Sequence, residues 1–151
     1  LAYAHGRDVV HRDLKPDNVM LERATGRALL MDFGIARRMH NASAAGLTRT
    51  GEIVGTPTYM SPEQIAGEAV DGRSDLYALA LLACYAATGT HTMDAPNVTQ
   101  VLTRQLTEVP PPLATLRPDL PIALCAVVDA CLAKEPAEGP ADAREVLEAL
   151  E

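Results

Sequence analysis

Three polar residues of this chain have the types and the spacing that phosphate chemistry requires. Asp13 and Asn18 flank a proline-containing turn in the stretch HRDLKPDN, and Asp32 follows in MDFG. The segment between Asn18 and Asp32 has the pattern of a β-hairpin, which would return the chain and let the three side chains converge. Amide and carboxylate oxygens suit Mg²⁺ or Mn²⁺ bound together with phosphate oxygens, so Asn18 and Asp32 are predicted metal ligands.

Asp13 and Lys15 have the chemistry to act on the reacting groups. A carboxylate that is not needed for the metal can orient a hydroxyl nucleophile and accept its proton, which is the role predicted for Asp13. Lys15 supplies positive charge where phosphate charge develops. Each of these residues alone is better explained as part of an Asx-rich loop that caps its own backbone. Their joint order and spacing favour catalysis.

The elements that must position these residues are a hairpin and a set of helices. Two short apolar strands are predicted at 19–21 and 28–31, with Thr25-Gly26 at the turn between them. A helix is predicted to end at Gly6. Residues 35–58 are rich in Gly, Ser, Thr and Asn, and an irregular stretch of this length usually indicates function or disorder.

The second half of the chain has helical periodicity throughout. Ser61 is the predicted N-cap of a short helix that stops at Gly67, and Ser74 is the predicted N-cap of an apolar helix to about residue 87. Further helices are predicted from about 94 to 106, from 121 to 133 and from 141 to the end. Residues 110–121 are predicted to be a proline-stiffened, extended connector. The expected fold is mainly α with one small hairpin.

Composition excludes several classes of protein. The 151 residues suit one domain, and a net charge of −7 without a dense Lys/Arg run argues against nucleic-acid binding. The longest apolar run, 76–87, is too short for a membrane span. Cys84, Cys125 and Cys131 lack metal-ligand spacing, which predicts buried, reduced thiols in a cytoplasmic protein.

The motifs together resemble a known enzyme family. HRDLKPDN followed by DFG resembles the catalytic and metal-binding loops of eukaryotic-type protein kinases, and GTPTYMSPEQ resembles the end of their activation segment. LKPDN is similar to serine/threonine rather than tyrosine kinases, and DFGIAR, YMSPEQ and SDLYALA resemble the bacterial, Hanks-type members. The resemblance covers the whole chain and is most specific through residue 77.

The resemblance implies transfer of the γ-phosphoryl group of ATP to protein Ser/Thr hydroxyls. It makes Asp13 the catalytic base or substrate-orienting carboxylate. It makes Lys15 the cation that steadies the transferred group, and it makes Asn18 and Asp32 the residues that hold Mg²⁺ against the ATP phosphates. Positioning and charge neutralisation account for most of the catalysis of such transfers.

Regulation by phosphorylation is also implied, because Arg12 precedes the catalytic Asp. An Arg can take a phosphate bidentately and order the loop that carries it. Thr48 and Thr50 are the implied acceptors of this phosphate. The implied partner is a second kinase copy, in a dimer in which one copy phosphorylates the other. Two unmodified loop threonines are the alternative. Thr56 stands where the family places a hydroxyl beside the catalytic Asp and Lys.

Other positions carry implied structural roles. Asp75 matches the acid that begins the central helix and bonds backbone amides of the HRD segment, and His11 and Phe33 match two members of a regulatory hydrophobic stack. Gly139 departs from the family, which usually has an arginine there in a buried ion pair with the equivalent of Glu63. We therefore expect one of three outcomes: Glu63 forms an ion pair with another cation, solvent reaches its carboxylate, or the unpaired charge lowers the stability of the lobe. Arg73 and Arg144 are the candidate cations.

The chain contains no glycine-rich loop, no strand lysine for the α- and β-phosphates and no helix glutamate to pair with it. The resemblance places these in a smaller, N-terminal lobe. We therefore expect residues 1–151 to be the C-terminal lobe alone, with the activation segment at 32–63, and to have negligible activity by themselves. Two alternatives stay open: a truncated or pseudokinase-like scaffold, and an unrelated helical metal-binding protein. A membrane anchor could lie outside this chain.

Overall fold

One antiparallel hairpin and seven α-helices form the part of the chain that the computed structural model describes, residues 1–33 and 57–151. After the hairpin, the described part of the chain is mainly helical, as the hydrophobic periodicity of the sequence predicts. The implied regulatory threonines Thr48 and Thr50 and the implied substrate-loop residue Thr56 lie outside the described residues. Within the described ranges, no helix has the length and apolar character needed to cross a membrane.

The hairpin pairs β1 (Val19–Leu21) with β2 (Ala28–Leu30) in the register Val19 to Leu30. Gly26 takes a positive φ of 71° in the turn, a conformation that glycine adopts without steric cost. The second strand ends one residue before the predicted position. The amide of Met31 still bonds the Asn18 carbonyl at 2.9 Å, but its own carbonyl turns away from the sheet to the His11 ring.

Two short helices follow their predicted boundaries. Helix α1 (Ala2–His5) ends at Gly6. Helix α2 (Pro62–Ala66) begins after Ser61, whose amide donates to the Gln64 side chain at 3.1 Å, and it stops at Gly67, where φ is 74°. Proline in the first turn and a left-handed glycine after the last turn are the usual punctuation of such a helix.

The central helix α3 (Gly72–Thr88) begins earlier than predicted, and its predicted cap is wrong. Asp71 is the N-cap: it has an extended backbone, and its carboxylate accepts from the Arg73 amide at 2.8 Å. Ser74 lies inside the first turn, is buried, and donates its hydroxyl to the Glu63 carboxylate instead. Both residue types are good caps, so the local rule alone could not choose between them.

The remaining helices differ from the predictions in their starts. Asn97 caps α4 (Val98–Thr107), so this helix begins about four residues late, and Asp142 caps α7 (Ala143–Glu148). Helix α6 (Ile122–Cys131) starts one residue after Pro121.

The predicted extended connector is wrong in part because it contains α5 (Leu113–Leu116). The Leu113 side chain is buried and its amide donates to Asp129 of α6, so tertiary packing induces this turn.

Aliphatic and sulfur-containing side chains fill most of the core, together with Tyr59 and Tyr77. Helix α3 packs on α6 and α7, and α5 packs on α6. The core members with the largest fully buried side chains include Leu76, Met93 and Leu113. A core of this kind agrees with the aromatic content of 3%.

All three cysteines are free and buried, as predicted. Burial raises the pKa of Cys84 and of Cys131 from 9 to about 11, with smaller contributions from nearby Asp129 and Glu145 respectively. A protonated thiol is a poor nucleophile. We therefore expect the folded chain at pH 8 to react slowly with a thiol-specific disulfide reagent, and all three thiols to react after unfolding in urea. The labelling rates of Cys84 and Cys131 should stay low until the pH approaches 11. Rapid native labelling at pH 8 would contradict the buried placement.

Candidate active site

The HRD segment is held by one buried carboxylate at the start of α3. Asp75, with 1% of its surface exposed, accepts the His11 amide on Oδ2 and the Arg12 amide on Oδ1, each at 2.7 Å. A carboxylate in the first turn of a helix is also stabilised by the helix dipole. This contact is the one that the family resemblance implies for Asp75.

His5 completes this arrangement, and sequence reasoning missed it. Its Nε2 atom donates to Asp75 Oδ2 at 2.8 Å, because the carboxylate can only accept. Gly72 makes room for the ring: a Cβ atom at that position would lie 2.7 Å from His5 Nδ1. A buried carboxylate needs several donors, and that requirement was the signal that could have pointed to His5.

The His11 ring connects the catalytic loop to the segment that carries Asp32. Nε2 donates to the Met31 carbonyl at 2.8 Å, and Nδ1 accepts from the Asp13 amide at 3.3 Å, so the tautomer with the proton on Nε2 satisfies both atoms. The ring also packs against Phe33, with centroids 4.8 Å apart. His11 and Phe33 thus contact each other, as the resemblance implies.

Three of the predicted site residues meet at one carboxylate. Asp13 Oδ2 lies 3.2 Å from Lys15 Nζ and 3.2 Å from Asn18 Nδ2, and Asn18 also donates to the Asp13 carbonyl at 2.7 Å. The Asp13 side chain is half exposed, whereas Asn18 is buried in the 3-10 helix Pro16–Asn18. Asp13 is therefore fixed in direction and still open to a reactant.

Asp32 follows Met31, whose backbone amide and carbonyl are both hydrogen-bonded. The Met31 amide bonds the Asn18 carbonyl and the Met31 carbonyl bonds His11, which brings the start of the next residue to the same end of the hairpin. Asp32 is exposed and has φ 57°, and Arg12 has φ 67°. Non-glycine residues rarely adopt this conformation, and where they do it often marks a functional site.

The donor set fits a hard divalent cation. Because the amide nitrogen of Asn18 faces Asp13, its Oδ1 atom is the remaining acceptor, and Asp32 offers an exposed carboxylate. Two protein oxygens completed by phosphate oxygens and water are typical of Mg²⁺ sites. Among residues 1–33 and 57–151, no group of three or more His, Cys, Asp or Glu side chains forms a metal cage.

Gln64 is a second residue that sequence reasoning missed. Its Nε2 atom donates to the Arg12 carbonyl at 3.0 Å, while its Oε1 atom accepts from Ser61. Helix α2 is thereby tied to the catalytic loop. Tyr59, just before this helix, is also near that loop: burial, then Tyr85 and Asp17, raise its pKa to about 12.

Glu63 has no arginine partner where the family expects one. Its side chain is buried, accepts from Ser74, and lines a cavity of about 20 Å³ together with Arg73 and Gly139. Arg73 forms its ion pair with Asp71 at 2.7 Å, and no ion pair to Glu63 occurs in the described part of the chain. Arg144 lies beside Gly6 instead. Neither candidate cation therefore forms an ion pair with Glu63.

Gly139→Arg is expected to stabilise the chain. The backbone at 139 is extended (φ −93°, ψ −176°), which suits any residue, and the new guanidinium can reach into the cavity beside Glu63. A charge-assisted bond should outweigh the tight approach of the new Cβ to the Ala130 carbonyl, 3.2 Å away. We expect a gain of about 1–2 kcal/mol and a rise in Tm of roughly 3–6 °C by calorimetry.

Two matched variants isolate the charge at this position. Gly139→Gln adds a Cβ and a polar chain without charge, and it should not raise Tm. In a Glu63→Gln background, Gly139→Arg should lose its gain. Equal Tm values for the Arg and Gln variants would contradict an unpaired Glu63.

Comparison with known sequences agrees with this geometry. A profile described as "Protein kinase domain" matches residues 1–149, so the chain belongs to the protein kinase domain family.

Relatives with high identity include bacterial serine/threonine kinases, which supports its place as a Hanks-type serine/threonine kinase by family. Serine/threonine-protein kinase pkn3 of Myxococcus xanthus is 41% identical over 149 residues, which cover 95% of this chain and 27% of that protein. PknJ of Mycobacterium tuberculosis is 40% identical over 90% of this chain and 23% of its own length. PknD of the same species is 43% identical over 89% of this chain and 20% of its own length. The chain thus spans about a quarter of the length of these relatives.

Proposed function

We propose that this chain is the C-terminal lobe of a protein kinase that transfers the γ-phosphoryl group of ATP to Ser/Thr hydroxyls of proteins. The observation that carries the proposal is the contact of Asp13 with both Lys15 and Asn18, on a loop whose amides are held by Asp75. A half-exposed carboxylate with fixed direction and an adjacent ammonium group suits an in-line transfer between two oxygens.

Each residue of the cluster has a separate part in this reaction. Asp13 orients the acceptor hydroxyl and takes its proton as the new P–O bond forms. Lys15, whose ammonium already faces the same carboxylate oxygen, offsets the negative charge on the transferred group. Because both groups are held before the reactants arrive, little reorganisation is needed during transfer.

ATP with Mg²⁺ or Mn²⁺ is the proposed cofactor, held by Lys15, Asn18 and Asp32. When bound, the metal neutralises phosphate charge. The contact with Asp13 orients the Asn18 side-chain amide. The hydrogen bonds of the Met31 amide and carbonyl fix the backbone that leads to Asp32. His11 excludes water from this junction, since its side chain is fully buried.

The hairpin supports the proposal that a second, smaller lobe covers this site. Met20, Leu21 and Leu29 expose 50%, 70% and 36% of their surface although all three are apolar. A two-stranded hairpin with such side chains is marginal unless something packs on it. A covering lobe would also exclude water from the phosphates, so we propose that residues 1–151 alone transfer phosphate negligibly.

Regulation by phosphorylation of Thr48 or Thr50, read by Arg12, is part of the proposal, and so is a dimer in which one copy modifies the other. Thr56 is proposed to shape the site for Ser/Thr acceptors. Mass spectrometry of the active protein should find phosphate on Thr48 or Thr50. A fully active protein without phosphate at either position would contradict this regulation. We propose a cytoplasmic location for the catalytic region, whatever other segments accompany it.

A direct test joins this chain to the region that precedes the matched segment in the Myxococcus xanthus relative. This joined protein, given γ-labelled ATP, Mg²⁺ and a general protein acceptor, is expected to label Ser and Thr but not Tyr. The 151 residues alone should label neither. A joined protein that folds, binds ATP and transfers nothing would favour the scaffold alternative.

A further inference from the structure

A line of hydrogen bonds through the core joins Lys134, beyond α6, to residues 57–60, where the second described range begins. Lys134 Nζ donates to the Tyr77 hydroxyl at 2.7 Å, and Tyr77 donates to Gln105 Oε1 at 2.6 Å. Gln105 Nε2 then donates to the Thr58 carbonyl at 2.6 Å. The line connects α3, α4 and the loop after α6 to the 3-10 helix Pro57–Tyr59.

The direction of every bond in this line is fixed by chemistry. Below about pH 8 Lys134 is an ammonium group, which can only donate, so the Tyr77 oxygen accepts from Lys134 and the Tyr77 proton points to Gln105. Burial raises the pKa of Tyr77, which keeps that proton in place. A backbone carbonyl can only accept, so the amide of Gln105 must turn its nitrogen to Thr58. The orientation of Gln105 therefore follows from its two neighbours.

The line is costly to maintain. Gln105 is fully buried and Tyr77 exposes only 3% of its surface, so each polar atom loses water on folding. Burial lowers the pKa of Lys134 to about 8, with Glu108 acting in the opposite direction. Lys134 also donates to the Gln105 carbonyl at 2.9 Å, which fixes the backbone of α4 as well. Apolar residues would fill the same space without this cost.

The segment held at the end of the line lies beside the catalytic loop. Residues 57–60 continue directly into α2, and α2 is tied to the Arg12 carbonyl by Gln64. Asp17 of the catalytic loop is close enough to raise the pKa of Tyr59. Tyr59 is fixed separately, through its hydroxyl, to His91 at 3.2 Å. Gln105 therefore ties the Thr58 carbonyl of this stretch to α4.

We propose that Gln105, oriented by Tyr77 and Lys134, is a positioning residue that sets residues 57–60 for binding of the protein acceptor. The inference rests on the proposed kinase function. Residues 57–60 follow Thr56, which is proposed to shape the acceptor site, and lead into α2, which Gln64 ties to the Arg12 carbonyl beside Asp13. A displaced Thr58 carbonyl should shift this backbone and leave the proposed ATP-binding residues Lys15, Asn18 and Asp32 in place. Acceptor binding should then weaken without a change in ATP binding.

Gln105→Met is the main variant, because it keeps the length of the side chain and removes the amide. Gln100→Met is its matched control, on the same helix but exposed. Tyr77→Phe is a milder second variant that removes only the hydroxyl. Gln105→Met removes the bonds to Tyr77 and to Thr58. In the joined protein it should raise KM for the acceptor about tenfold, which corresponds to about 1.4 kcal/mol of binding free energy. KM for ATP should stay within about twofold.

Hydrogen exchange on the 151-residue chain separates this inference from the proposed function. The Met60 amide, bonded to the Pro57 carbonyl, should exchange faster in Gln105→Met and in Tyr77→Phe but not in Gln100→Met. Faster exchange in these variants of the 151-residue chain, together with a joined protein that transfers no phosphate, would reject the kinase proposal and keep the positioning of residues 57–60. Unchanged exchange, or equal increases in KM for ATP and acceptor, would overturn the inference.

Discussion

Asp75→Ala is expected to lower the free energy of unfolding by roughly 3–5 kcal/mol, the largest stability effect of any single change considered for this chain. The variant leaves the His11 and Arg12 amides without their acceptor and His5 Nε2 without its partner. Each unsatisfied buried donor costs about 1–3 kcal/mol. Urea unfolding followed by circular dichroism measures the loss.

Asp71→Ala is the matched control for this change. Asp71 is also a carboxylate at the start of α3, but it is exposed, and it caps the helix and pairs with Arg73 at the surface. Its loss should cost about 1 kcal/mol. Hydrogen exchange adds a local readout: the His11 and Arg12 amides should exchange faster in Asp75→Ala and not in Asp71→Ala. Equal losses of stability in the two variants would mean that Asp75 does not brace the loop.

Short sequence patterns predict the elements whose boundaries are set by turn and cap residues. The hairpin follows from two apolar runs with Thr25-Gly26 between them, and α2 follows from a proline after Ser61 and a glycine at 67. The sequence pattern predicts Ser74 as the cap of α3, because a serine before an apolar run satisfies the same rule as Asp71. Only the three-dimensional contact between Ser74 and Glu63 separates the two residues.

Contacts between distant parts of the chain could not be predicted in this way. His5 meets Asp75 across 70 residues, Gln64 meets Arg12 across 52 and Gln105 meets Thr58 across 47. No periodicity or spacing links such pairs. The residues Asp13, Lys15 and Asn18 were predictable because six consecutive positions contain all three. Among the residues that hold this loop, Asp75 of α3 was implied by the family resemblance, whereas His5 of α1 and Gln64 of α2 were not.

Asp13→Asn in the joined protein is expected to reduce phosphate transfer by about 10²–10⁴-fold. The amide keeps the shape of the side chain but cannot take the proton of the acceptor hydroxyl. Stability should change little, since half of the Asp13 side chain is exposed. KM for ATP should also be nearly unchanged, because the predicted ATP ligands Lys15, Asn18 and Asp32 remain.

Asp17→Asn is the control, because Asp17 is an exposed acid of the same loop that has no predicted part in the transfer. The measurement is the rate of labelled phosphate incorporation into protein serine and threonine at saturating ATP, for the joined protein and both variants. We predict transfer by the unsubstituted protein and by Asp17→Asn, and almost none by Asp13→Asn. Comparable rates for Asp13→Asn and the unsubstituted protein would contradict the assignment of this loop as the catalytic loop of a kinase.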